Sequence, residues 1–362
     1  MFTPSRLTLA RKRRGWSKTR LAEAVGVTTR AIAAFESGDL APSDERVADM
    51  ARVLGFPRPF FGGPDLSEPT PSTASFRALK SMTAGQRDSV LAAGALAMDL
   101  CRWIDERFQL PAVDVPSLRD TDPETAAATL RSHWGLGELS IRNVVHLLES
   151  RGVRVFSLAE DCHEVNAFSL WLDSTPFVFL NTAKSAESSR FDAAHELAHL
   201  VLHAHGGPRG RDTELEADRF ASAFLMPRST VLALGQRWPG VDDLIQAKRK
   251  WGVSVAALAH RLHGVGLVTD WHYRTLCIDI ARRGFRTSEP NTIPRETSQV
   301  FAKVFSALRA EGMGKEQVAQ ALCLSNDDLD ALVFGLVILT VRGGQNPAGR
   351  SEHRKRSPLR LV

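Results

Sequence analysis

His195-Glu196-Leu197-Ala198-His199 sets two imidazoles four residues apart on a stretch without proline or glycine. A helix puts both on one face, close enough to share a metal ion. Glu196 then stands about 100° around the helix, where a carboxylate beside the ion can take a proton from an attacking water. Catalytic zinc usually keeps three protein ligands and one open position, so a third ligand is needed. It is sought in Thr213-Glu214-Leu215-Glu216-Ala217-Asp218, where Glu214 and Asp218 are four apart on one helical face and Glu216 points nearly the other way. Glu216 also stands three after Thr213, the last place of a capping box, which gives it a structural task. Glu214 is therefore the expected ligand, and Asp218 the acceptor that orients a ligating histidine. His203 lies roughly 6 Å further along the axis, too far to close the same tetrahedron, and reads as a half-buried polar residue near the site. His205 falls at the helix end and is not chosen either.

Stepping outward along the chain, residues 139–150 predict an amphipathic helix ended by Gly152, and 153–156 a strand. Two more strands are expected at 167–172 and 177–180, joined by a tight turn over 173–176. The histidine-bearing helix spans about 188–204, stopped by Gly206-Gly207-Pro208, and another begins after Thr213. This is an α+β unit in which a small sheet hands over to a helix pair. Before it, 82–108 predicts a helix packed on one face. Beyond 270 the pattern is helical again, and 314–330 has a helix-turn-helix rhythm whose second helix is acidic, which argues for packing rather than DNA reading.

The chain has 362 residues, too many for one ordinary core, with 43% hydrophobic and 24% charged residues, which excludes wholesale disorder. Cys101, Cys162, Cys277 and Cys323 form no CxxC pair, against both a disulfide scaffold and a cysteine-based zinc ribbon. No apolar run reaches the length of a bilayer span and no secretory signal is read, so a cytoplasmic, membrane-free protein is expected. The net charge of +5 is uneven. Residues 1–60 carry 11 Lys/Arg against 6 Asp/Glu, 342–362 carry 6 against 1, and the stretch between is acidic. A basic head of this kind suits a polyanion such as DNA.

Within that head, apolar spacing fits four or five short helices, with Ser17 capping one, Gly26 at a turn and Thr28 or Thr29 capping the next. Leu21-Ala22-Glu23-Ala24-Val25-Gly26-Val27, Ile32, Glu36-Ser37-Gly38 and Pro42-Ser43 resemble the XRE (Cro/repressor-like) helix-turn-helix family. The second helix of such a pair enters the major groove by its N-terminal end, so Thr28, Thr29 and Arg30 are placed to reach base edges. Lys18 stands where many members carry Gln, and is kept as a contact. Arg11, Lys12, Arg13, Arg14 and Arg20 are expected near phosphates.

The histidine stretch resembles a second family, the gluzincin-like ImmA/IrrE metallopeptidases. The likeness runs from Val165-Asn166-Ala167-Phe168-Ser169 through Phe177 to Asn181, His195 to His203 and Glu214 to Pro227, with 249–258 and 283–290 resembling members that add an XRE head. It implies zinc held by His195, His199 and Glu214, Glu216 and Asp218 at further family positions, and an endopeptidase in which Glu196 serves as base. The strand ending near Asn181 is expected to align substrate, and Tyr273, His260, His263 and His272 are candidates for stabilising the oxyanion.

The expected fold is multidomain, mainly α with an α+β part: an N-terminal all-α helix-turn-helix domain (1–60), a Pro/Gly-rich linker (61–75), a central α+β metallopeptidase with a small sheet and HExxH helix (76–270), a C-terminal helical module (271–341) and a basic tail (342–362). The expected partners are double-stranded operator DNA, with a homodimer as the default on a two-fold operator, and a protein substrate or regulatory partner. Two functions remain open: a regulator whose Zn2+ endopeptidase cuts a repressor-like protein in a stress or mobile-element response, and an antitoxin-like transcription factor whose metallopeptidase-like domain senses or docks a partner without proteolysis.

Overall fold

The computed structural model describes residues 2–66, 83–158, 167–172, 174–203, 210–235, 239–333, 336 and the backbone of 357–358. These carry sixteen α-helices and a small three-stranded sheet. The chain divides into two compact units: Met1–Pro111 with Phe156–Val165 and Ser298–Val362, and Ala112–Val155 with Asn166–Thr297.

In the first unit, α1 (Pro4–Arg13), α2 (Lys18–Val25), α3 (Thr29–Ser37) and α4 (Asp44–Leu54) surround Leu7, Leu21, Ile32, Met50 and Phe60. Each helix boundary has a local cause. The Ser17, Thr28 and Ser43 hydroxyls accept from Arg20, Ala31 and Arg46 N–H, and Gly26 closes α2 at φ +66°, a conformation that glycine adopts without Cβ strain. The proline-rich stretch is not wholly irregular. Residues Arg58–Gly62 form a 3-10 turn that buries Phe60 and Phe61, and Thr3 N–H donates to the Phe61 carbonyl at 2.8 Å.

The same unit contains α5 (Ala84–Asp105), opened by a Thr83–Gln86 capping box, and a two-residue strand β1 (Phe108–Gln109). Ser89 on α5 donates to the Arg13 carbonyl at 2.8 Å.

The second unit holds α6 (Pro123–His133), α7 (Val144–Ser150) and the hairpin of β3 (Ala167–Leu172) and β4 (Thr175–Leu180); with β2 (Arg154–Ser157), of which Arg154 and Val155 belong to this unit, the sheet has the order β2-β4-β3. The helix expected over 139–150 is thus shorter. Arg131 holds the carbonyls of Gly137 and Leu139 in a loop, and Asn143 caps the helix by accepting from His146 N–H at 2.8 Å. The hairpin is tighter than its sequence suggests, since Thr175 and Pro176 already pair with Leu172 and Trp171. β4 is the central strand, which corrects the expectation that the strand ending near Asn181 aligns substrate. An added strand needs an edge, and β3 ends the sheet among the described residues.

Behind the hairpin come α8 (Ala186–Leu202), α9 (Arg211–Leu225), α10 (Arg228–Leu232), α11 (Val241–Ala247), α12 (Val255–Gly264) and α13 (Asp270–Arg282). Phe168 and Phe179 stack across the hairpin at 4.3 Å, and Leu197, Val201, Phe220 and Phe224 are buried along α8 and α9. The segment after α13 is tied down by buried charges. Arg190 pairs with Glu296, whose other oxygen accepts from the N–H groups of Val144 and Val145, while Lys248 lies 3.2 Å from Glu187 and 3.1 Å from Glu289. These groups fix the helix that carries the histidines, because Glu187 and Arg190 are both on α8.

The first unit closes with α14 (Gln299–Ala310), α15 (Lys315–Ala321) and α16 (Asn326–Val333). The expected 314–330 helix pair is present, and its acidity has a use. Asp328 is buried against Arg14 and Arg13, and Asp330 lies 2.6 Å from Lys315 Nζ. The basic tail apart from the backbone of 357–358, the 206–208 stop, His205 and Cys162 lie outside the described residues, as does most of the linker.

Candidate metal centre and nucleic-acid interface

Helix α8 turns the two imidazoles toward each other with 3.1 Å between their Nε2 atoms. Glu214 on α9 comes in from the side, Oε2 at 3.3 Å from His195 Nε2 and Oε1 at 3.7 Å from His199 Nε2. One ligand atom from each of the three residues lies within 4.8 Å of the others. A tetrahedral zinc with bonds of about 2.0–2.1 Å requires donor separations of roughly 3.3 Å, so this donor set fits the ion in both chemistry and spacing.

His195 Nδ1 lies 2.9 Å from Asp218 Oδ1, the arrangement that holds an imidazole with its other nitrogen turned toward a metal. In the metal-free protein burial pushes His195 down, and hydrogen bonds to Asp218 and Glu214 with the charge of Glu196 outweigh it, raising its pKa to about 10. Glu196, 4% exposed, turns toward the sheet, where Ser169 Oγ on β3 donates to its Oε2 at 2.7 Å.

Residues 148–263 match the IrrE N-terminal-like domain family, and residues 7–61 match a helix-turn-helix family. One chain thus joins an XRE-type helix-turn-helix to an IrrE N-terminal-like domain. No curated protein matches the chain. The IrrE-like domain is metallopeptidase-like, and the helix-turn-helix supports DNA binding. No helix among the described residues is long and apolar enough to cross a membrane.

Glu216 departs from its expected role, while His203 is the half-buried polar residue near the site that the sequence predicts. α9 begins at Arg211, so Thr213 is already inside it and its Oγ1 accepts from Gly210 N–H at 3.0 Å. Glu216 therefore does not complete a capping box; its Oε2 lies 2.9 Å from His203 Nε2. His203 in turn sets Nδ1 3.0 Å from His199 Nδ1, on the ring edge opposite the ligand position. His203 reaches His199 through the same four-residue spacing that links the two histidines of the cluster. The pairing with Glu216 spans thirteen residues and a helix turn-around, which no local pattern encodes.

Of the candidates for oxyanion stabilisation, His263 lies 2.6 Å from Asp270, Tyr273 stacks on His263 at 4.6 Å, and His272 Nε2 lies 2.9 Å from the Pro239 carbonyl. His260 lines a cavity of about 330 Å³ with Asp122, Arg219, Ser222 and Arg228, and feels the charge of Asp218. Desolvation there lowers its pKa below the ordinary histidine value.

On the helix-turn-helix, Thr28, Thr29 and Arg30 are exposed at the start of α3. The Thr28 hydroxyl is engaged as the helix cap, and Lys18 Nζ stands 3.4 Å from Glu36. The expectation of a phosphate-facing row at 11–14 needs correction. Arg11 is buried and forks onto both oxygens of Glu36, Arg13 is buried beside Asp328, and Arg14 is bound to Asp328. A run of cations in sequence suggests a surface, but α1 and its cap direct Arg11, Arg13 and Arg14 onto carboxylates that arrive from distant positions.

Proposed function

We propose that this chain is a DNA-binding regulator whose IrrE-like domain is a zinc-dependent endopeptidase acting on a regulatory, repressor-like protein in a stress or mobile-element response. The observation that carries the reading is the convergence of His195, His199 and Glu214 around one point, with Glu196 alongside. Zinc bound there supplies Lewis acidity toward water and a peptide carbonyl.

The chain's own residues supply the rest. Asp218 keeps the Nδ1 proton on His195, so Nε2 presents its lone pair. Glu196 accepts the water proton and returns it to the leaving amine, with Ser169 holding the carboxylate in place. β3, at the end of the sheet and carrying Ser169, offers backbone groups to an extended peptide. The helix-turn-helix brings Arg30 and Thr29 to base edges and Lys18 to the DNA, as a dimer on a two-fold operator.

Glu196→Gln tests the reading. The variant is expected to keep one zinc per chain, lose cleavage and retain its uncleaved substrate in a pull-down. A cellular response that persists unchanged in this variant would remove proteolysis from the function and leave a regulator whose IrrE-like domain docks or senses a partner.

A further inference from the structure

The two ligand histidines are oriented by different devices. His195 meets a carboxylate directly, Nδ1 to Asp218 Oδ1 at 2.9 Å. His199 instead meets another imidazole, Nδ1 to His203 Nδ1 at 3.0 Å, and His203 Nε2 meets Glu216 Oε2 at 2.9 Å.

Proton positions follow from these contacts. A histidine that gives its Nε2 lone pair to a metal carries its proton on Nδ1. His199 Nδ1–H then donates to His203 Nδ1, which must be the bare nitrogen, because two N–H groups cannot face each other at that distance. The His203 proton is therefore on Nε2, where it donates to the Glu216 carboxylate. Reversing His203 places two donors face to face at Nδ1 and a lone pair against the carboxylate at Nε2, and reversing His199 places two lone pairs face to face. Glu216 thus fixes the tautomer of His203, and His203 fixes that of His199.

Burial grades along this path. His199 is buried, the His203 side chain is 15% exposed and that of Glu216 is 49% exposed. The relay ends at the surface, so Glu216 can be altered without opening the core.

We infer that His203 and Glu216 are positioning residues that hold His199 with Nε2 toward the metal, as a histidine–carboxylate pair doing for His199 what Asp218 does for His195. This rests on the zinc reading above. Loss of a group that orients a metal ligand typically weakens metal affinity about 10- to 100-fold. His203→Ala is expected to fall in that range, Glu216→Ala to lose less, and Glu216→Gln, which keeps an acceptor oxygen, to bind nearly as the wild type does.

The experiment is zinc titration of the full chain against a chromophoric chelator, with melting of each metal-free variant as control. Weaker zinc binding in His203→Ala and Glu216→Ala, restored in Glu216→Gln and with unchanged metal-free melting, supports the relay. Wild-type affinity in both alanine variants overturns it and leaves the zinc reading intact. If Glu216→Ala lowers metal-free melting and Glu216→Gln does not restore zinc affinity, Glu216 acts on the fold alone and the relay is overturned. A wild-type chain that binds no zinc overturns the zinc reading, and the relay with it.

Discussion

Arg14, the residue that caps the end of α1, donates Nη1 and Nη2 to the two oxygens of Asp328 on α16, at 2.7 and 2.8 Å. The two residues are 314 positions apart, and the Asp328 side chain is 1% exposed. Burial raises the Asp328 carboxyl, but hydrogen bonds from Arg14 and Ser325 and the charges of Arg14 and Arg13 outweigh it, so its pKa lies below the ordinary value. Removing one partner of a buried pair costs about 3–5 kcal/mol, so Asp328→Ala is expected to lower the melting temperature markedly. A group with a depressed folded pKa stabilises fully above its unfolded value, about 3.9, and that contribution is lost as pH falls through the folded value. Asp328→Asn should therefore flatten the acid side of the stability–pH curve; an unchanged acid limb would count against the pair.

The inward turn of the basic run separates two kinds of arginine. Arg30 is exposed at the start of α3, and its loss should weaken operator binding by about 1–3 kcal/mol if it reads a base edge. Arg11→Ala breaks a buried ion pair with Glu36 and should act by loosening the helix-turn-helix. Binding titrations beside circular dichroism distinguish them: Arg30→Ala keeps full helicity, and Arg11→Ala does not.

Gly152 adopts φ +78°, and a Cβ there would stand 2.5 Å from the Ala112 carbonyl oxygen. Left-handed backbone costs a residue with a side chain on the order of 1–3 kcal/mol even before the clash. Gly152→Ala should thus be among the more damaging single-methyl changes in the IrrE-like domain, measured by chemical unfolding. Wild-type stability would mean that the backbone there relaxes freely.

What could be read along the chain was what repeats at short range. The four-residue spacing of His195 and His199, the pairing of Glu214 with Asp218 on one helical face, and the hydroxyl caps at Ser17 and Thr28 are local, and the structure places them accordingly. What escaped depended on partners far away in sequence. Arg13 and Arg14 could not be told from solvated cations without Asp328, and Glu216 could not be told from a capping residue without the true start of α9 at Arg211. Strand order was equally invisible, because β4 and β3 have similar apolar patterns and only the pairing shows which is central.

Ser169 ties that sheet to the chemistry. It sits on β3 opposite Val178, 1% exposed, and its hydroxyl hydrogen reaches Glu196 Oε2. A proton-accepting carboxylate must keep one oxygen aimed at the water, and a hydrogen bond on the other oxygen limits rotation without occupying the first. A hydrogen bond to a charged group contributes about 1.5–3 kcal/mol, which corresponds to roughly tenfold or more in rate if it is lost at the transition state. Ser169→Ala should therefore keep zinc content and KM while lowering kcat about tenfold on a cleaved substrate, and Ser169→Thr should recover part of it. Equal kcat in Ser169→Ala and wild type would show that α8 alone aims Glu196.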